Sequence, residues 1–289
     1  MRVVKSLPVW ALTVMLTACS GVSRPPATLG LDPFYTRHVD AGGVPVLSSA
    51  RTPPKALHVA RGIVDGLLAH RPDLRAWIVE QGVRVAVMAP DEGTVDLPEQ
   101  RHWTKPGPDD PRLTRCERLH YQQRIGRLTD REYWNARARG MAGQPVSGAA
   151  EDVLGQPASR YYGENIFLHE FSHVVLRAIR AVDPALYARV ERAYAGAKAA
   201  DRWKDEYALT SLDEYWAEGT QFWFNSNKRA AFDGVTVLSD ADLARYDPPL
   251  AAVLREAYGD RHQIAADRFH NHPARVPPGP LPKSTAEIC

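Results

Sequence analysis

The segment His169-Glu170-Phe171-Ser172-His173 constrains this chain more tightly than any other part of the sequence. Two imidazoles four residues apart can address one point in space when they stand on a helix, where positions i and i+4 lie one above the other. The neighbours agree with a helix, because Phe167, Phe171, Val174 and Ala178 mark out a separate apolar face. Glu170 is turned about 100° from His169 around the helix axis. That carries it close to where a water on a bound ion would sit. The pattern fits a zinc site in which Glu170 is the general base. Two solvated histidines flanking an acid would spell the same letters, so a third ligand has to decide.

No further histidine follows at the spacing of the extended motif, since Val174, Val175, Leu176 and Arg177 come next. A glutamate from a later helix would complete the two-His, one-Glu set of many catalytic zinc sites. Glu214 and Glu218 are four apart and share a helix face. One of them can bind the ion while the other accepts a ring N–H from a ligand histidine and orients it. Acid pairs on helices are usually just a wet face. Here Tyr215, Trp216, Phe222, Trp223 and Phe224 surround the pair, and so aromatic a stretch does not lie wholly in water.

The run from Glu164 to Asn227 resembles the gluzincin zinc proteases, in particular the catalytic domain of anthrax toxin lethal factor and the Mlc titration factor A peptidases. The resemblance implies an α+β, zincin-like fold and one Zn2+ per chain, held by His169, His173 and Glu214. It makes Glu218 the outer acid. It makes Tyr207, seven positions before the glutamate ligand, a stabiliser of the tetrahedral intermediate; a half-buried structural tyrosine is the plainer alternative. The implied function is a zinc metallopeptidase acting on protein or peptide substrates, with zinc lowering the pKa of a water whose proton Glu170 takes. Two alternatives stay open: a degenerate zincin serving as a binding or envelope-scaffolding protein, and a zinc amidase acting on a cell-wall linkage. Residues 137–143 could supply an edge strand that pairs with substrate, or a plain loop. His270 and His272 could bind a second metal, although such a pair beside a proline tail is more often solvated.

The N-terminus reads as an address. Arg2 and Lys5 precede an apolar run from Leu7 to Leu16 that is short for a membrane span. Leu16-Thr17-Ala18-Cys19 resembles the lipobox of bacterial lipoproteins, which implies removal of residues 1–18 and lipidation of Cys19. The expected location is the bacterial cell envelope, membrane-tethered through Cys19, and Ser20 after it leans towards the outer membrane. Without Arg2 and Lys5 the formal charge is balanced, at 34 basic and 34 acidic residues, so nothing points to nucleic acid. Cys116 and Cys289 then remain as an even pair in an oxidising compartment, a possible disulfide.

Residues 19–33 read as a polar tether, 34–272 as the folded domain and 273–289 as a proline-rich tail, extended and mobile unless a disulfide staples it back. Within the domain, 34–49 suggests strands or a hairpin, 54–70 and 73–80 helices, and 83–88 a strand. Residues 90–111 are rich in turn formers. After Thr114 the chain reads mainly helical, with an irregular stretch from Gly140 to Gly163. Helices are expected over about 163–180, 183–200 and 212–228, with at least one more between Asp240 and Tyr258. The outline is α+β, a small N-terminal α/β part followed by a mostly helical half.

Overall fold

The computed structural model describes residues 21–232 and 234–279. The signal segment, Cys19 and Cys289 therefore lie outside the described residues. Cys116 is buried and disulfide-bonded.

A hairpin opens the domain, β1 (Arg37–Ala41) pairing antiparallel with β2 (Val44–Ser48). Gly42 and Gly43 turn it with positive φ. Helix α1 (Pro54–Leu67) starts on a proline whose missing N–H costs nothing in a first turn. Helix α2 (Pro72–Glu80) follows, and the chain returns as β3 (Val85–Met88), parallel to β2. The two short helices α3 (Arg115–Leu119) and α4 (Asp130–Arg137) each begin at a threonine that caps the N–H of a glutamate three residues on.

The irregular stretch 140–163 contains the fourth strand, β4 (Val146–Ala149), parallel to β3. The sheet order is β1-β2-β3-β4, so the α/β part is not small: it closes only just before the motif helix. Val146-Ser147-Gly148-Ala149 is poor in the branched and aromatic residues that mark strands. The reason is packing. A Cβ on Gly148 would stand 2.8 Å from the Phe167 ring, so small residues here let the next long helix lie against the sheet.

After the single turn α5 (Ala150–Val153) come α6 (Ile166–Val182), α7 (Pro184–Ala199) and α8 (Leu212–Trp223). Asp183 caps α7 ahead of Pro184, as the sequence suggests, its carboxylate accepting from the Leu186 N–H at 3.0 Å. Helix α8 stops five residues short of the expected end. Asn225 takes a left-handed φ of 55°, and the Ser226 N–H reaches back to the Gln221 carbonyl at 2.8 Å, a common way to close a helix. A small hairpin of β5 (Ala230–Phe232) and β6 (Val235–Val237) follows. The last helical region is split by Asp247-Pro248 into α9 (Asp240–Tyr246) and α10 (Pro248–Tyr258).

One apolar cluster runs from Val39 in β1 through α1 and α6 to Leu254 in α10, so the sheet and the helical half share a core. The aromatic stretch of α8 is inside it: Tyr215, Trp216, Phe222, Trp223 and Phe224 are all at most 1% exposed. Among the described residues no helix is long and apolar enough to cross a membrane.

Both ends of the domain extend further than the sequence suggests. Residues 21–33 do not run as a free tether. Ser23 exchanges two backbone hydrogen bonds with His38 on β1, at 3.0 and 2.8 Å, and Val22 packs on the core. Leu31 joins the apolar patch of Tyr35, Leu47 and Met88 on the sheet's other face. The proline tail likewise begins as structure, because Arg275 is buried and donates to the Asn227 carbonyl at 2.7 Å. An arginine can afford that position because its several N–H groups find acceptors there, including Asn271 and the Leu238 carbonyl.

Candidate metal centre

Helix α6 is started by buried side chains. The Asn165 carboxamide oxygen accepts from the Leu168 N–H at 2.9 Å, and Asp152 accepts from the Ile166 N–H at 3.1 Å. Burial, reinforced by the charge of Glu164, raises Asp152 to about 8. Helix α8 is capped by Ser211, whose hydroxyl accepts from the Glu214 N–H at 3.1 Å. The two helices pack directly, and the Trp216 indole N–H donates to the Ser172 carbonyl at 3.0 Å. That bond fixes how far α8 can slide along α6.

The packing brings together three of the residues singled out from sequence. His169, His173 and Glu214 each offer a ligand atom, and these atoms lie within 4.8 Å of one another. Glu214 Oε2 stands 3.0 Å from His169 Nε2 and 3.8 Å from His173 Nε2. All three side chains are largely sheltered from solvent.

The electrostatics of the three are coupled. Burial and the neighbouring His169 charge lower His173 to about 4, so it is neutral at pH 7 and its lone pair is free to bind a metal. Burial also opposes a charge on His169, but hydrogen bonds to Glu214 and Glu218 outweigh it and hold its pKa well above the usual histidine value. Glu214 is pulled the other way: burial would raise it, and His169 brings it below the usual carboxylate range. A buried carboxylate facing two imidazoles is thus kept anionic. Borderline-soft nitrogen plus one carboxylate oxygen is a donor set suited to zinc.

Glu170 points to the sheet side of α6 and accepts the Ala142 N–H. Burial raises it to about 7, against the pull of His169. Residues 137–143 are not simply a loop. Arg137 ends α4, and Met141 exchanges two hydrogen bonds with Ser147 of β4, at 3.1 and 2.9 Å, as an antiparallel bridge on the outer edge of the sheet. Gly140 lets this segment sit over the motif, since a Cβ there would come 2.8 Å from Ile166 and 3.2 Å from Glu170.

Tyr207 opens a short 3-10 turn, Tyr207–Leu209, ahead of α8. Its hydroxyl is hydrogen-bonded to Glu214 and its ring centroid lies 6.4 Å from that of His169. Burial and the Glu214 charge raise its pKa, so it stays a neutral donor, while the residue as a whole remains 42% exposed.

Glu218 is beside His169, with Oε1 3.4 Å from Nδ1, and its other oxygen accepts from Asn227 at 2.7 Å. Closer to the ring is a residue that does not stand out in the sequence. Gln221 Oε1 lies 2.9 Å from His169 Nδ1, and the Gln221 amide nitrogen donates to the Asn165 carbonyl at 3.1 Å. The signal was present as spacing, because Glu214, Glu218 and Gln221 fall at i, i+4 and i+7 on one face of an otherwise aromatic helix.

His270 and His272 do not form a second site. The His270 ring is tied to the Phe224 carbonyl at 2.9 Å and to Asn271 at 3.1 Å. His272 accepts from the Ala274 N–H at 3.1 Å and packs edge-on against Tyr162 and Phe269. Among the described residues the only group able to hold a metal is His169, His173 and Glu214. No known protein family, curated protein or solved structure matches this chain.

Proposed function

We propose that this chain is a zinc-dependent peptidase of zincin type, tethered to a bacterial envelope membrane through a lipidated Cys19. The observation that carries the enzymatic part is the convergence of His169, His173 and Glu214 from two helices onto one buried point, with Glu170 alongside. The tether rests on the lipobox-like sequence ahead of Cys19.

A zinc ion there would supply Lewis acidity that activates a water and polarises a peptide carbonyl. Glu170 does the proton work. With its pKa raised to about 7, its carboxylate takes the proton of the attacking water and returns it to the departing amine at neutral pH. The Ala142 N–H holds that carboxylate in place. Tyr207, kept protonated and donating to Glu214 in this structure, would turn its O–H from that carboxylate to the oxyanion. The Met141 segment forms the outer edge of the sheet next to Glu170, a position from which an extended peptide could be paired.

The test is hydrolysis of casein and of peptidoglycan by the purified chain, wild type beside Glu170→Gln. Casein cleavage that disappears in the variant supports the peptidase. Cleavage confined to peptidoglycan would move the assignment to a cell-wall amidase. Wild-type rates in Glu170→Gln would remove the mechanism.

A further inference from the structure

We propose that Gln221 fixes the ring orientation and tautomer of His169, so that Nε2 is the atom presented to the metal. Gln221 is thus a positioning residue of the centre, and the proposal rests on the metal-site reading above. A primary amide can be turned either way, and its neighbours decide which. The Asn165 carbonyl, 3.1 Å away, can only accept. The atom facing it must be the Gln221 amide nitrogen, which leaves Oε1 as the atom 2.9 Å from His169 Nδ1. Oε1 also only accepts, so the proton belongs on Nδ1. In the structure as it stands the charged ring donates from Nε2 to Glu214 Oε2 at 3.0 Å. When the ring gives up one proton to bind a metal, the hydrogen held on Nδ1 by Gln221 makes Nε2 the nitrogen that is left with the lone pair. A backbone carbonyl with a single possible role therefore selects one tautomer two bonds along the chain.

The surroundings make this amide hard to replace. Gln221 is fully buried, so no solvent competes for either end. Asn165 caps α6 through Leu168, donates its side-chain amide N–H to the Asp267 carboxylate at 2.8 Å, and donates its backbone N–H to the Ser226 carbonyl at 3.1 Å. The residue that starts the metal-bearing helix is thus the one that aims Gln221. Glu218 Oε1 reaches the same ring nitrogen only at 3.4 Å and is held on its far side by Asn227. It supports the charge on the ring, but it is the longer contact, and Gln221 at 2.9 Å is the one that sets the direction of Nδ1–H.

The experiment is a Zn2+ titration of the full chain against a chromophoric chelator, with long-range 15N–1H spectra of the zinc-loaded protein. Gln221→Met keeps the volume and removes the acceptor. It should weaken zinc binding by about 10- to 100-fold and broaden or split the His169 ring signals. Gln221→Glu restores an acceptor for Nδ1 and should recover affinity to within a few-fold of wild type, and it serves if the Met variant fails to fold. Glu218→Met should cost less than Gln221→Met. Wild-type affinity and an unchanged His169 tautomer in Gln221→Met would overturn the proposal, as would a larger loss in Glu218→Met. A wild-type chain with no zinc affinity would instead overturn the underlying metal reading, and the titration of the unaltered chain reports this before any variant is made.

Discussion

The chain carries two close pairs of histidines, and they have opposite fates. His169 and His173 sit four apart on a long helix and turn their Nε2 atoms towards Glu214. His270 and His272 sit two apart in a turn, and the Nδ1 atom of each is engaged by the backbone around it. The side chains are the same, so chemistry alone does not make a ligand. What separates the pairs is where the obligatory hydrogen-bonding partners come from. In the first pair a glutamine on another helix satisfies one ring nitrogen of His169 and leaves the other pointing inward. In the second pair both nitrogens of His270 and Nδ1 of His272 are taken up by groups close by, and the two rings do not converge with an acid on one point.

The largest expected effect is at Glu170, between the first pair. Glu170→Gln should lower peptide hydrolysis by about 10²- to 10⁴-fold while leaving zinc content unchanged. Steady-state rates with metal analysis of the same preparation check both halves of that statement.

Next comes the packing that makes the pair converge. Trp216→Ala removes a fully buried ring together with its indole hydrogen bond to the Ser172 carbonyl between the two histidines. A loss of about 3 to 5 kcal/mol is expected, read from urea unfolding. A loss below about 1 kcal/mol would mean that the α6–α8 contact does not hold the site together.

A third effect depends on pH. Burial raises Glu170 from 4.5 to about 7, so the folded chain keeps a proton that the unfolded chain has already released. The metal-free wild type loses stability from this group as pH climbs from 4.5 to 7, and Glu170→Gln does not. With chelator present, the variant should be the more stable protein at pH 8, by on the order of 3 kcal/mol, and the gap should close below pH 4.5. Equal stabilities at pH 8 would show that Glu170 is not desolvated.

The smallest effect belongs to the second pair. His270→Ala and His272→Ala should each cost about 1 kcal/mol or less and leave zinc content untouched. A drop in bound zinc in either variant would erase the contrast.

How much of this was legible in the sequence differs from element to element. The motif helix, the Glu214 helix and the burial of its aromatics could all be read, because spacing and apolar faces are local signals. Strand β4 could not, since Gly148 and its small neighbours exist to admit Phe167, a residue far along the chain. Gln221 was passed over for a related reason: Glu218 shares its face and is the more conventional partner, and only the Asn165 carbonyl makes the amide the closer one. The N-terminal segment reads as a tether because its prolines and glycines suggest a linker, whereas its order comes from pairing with β1.

The most direct measurement is the metal content of the purified chain by mass spectrometry, wild type beside Glu214→Ala. About one zinc per wild-type chain, lost in the variant while the circular dichroism spectrum is kept, is the result expected of a two-His, one-Glu centre. A well-folded wild type that takes up no zinc after reconstitution, or a variant that keeps its zinc, would contradict it.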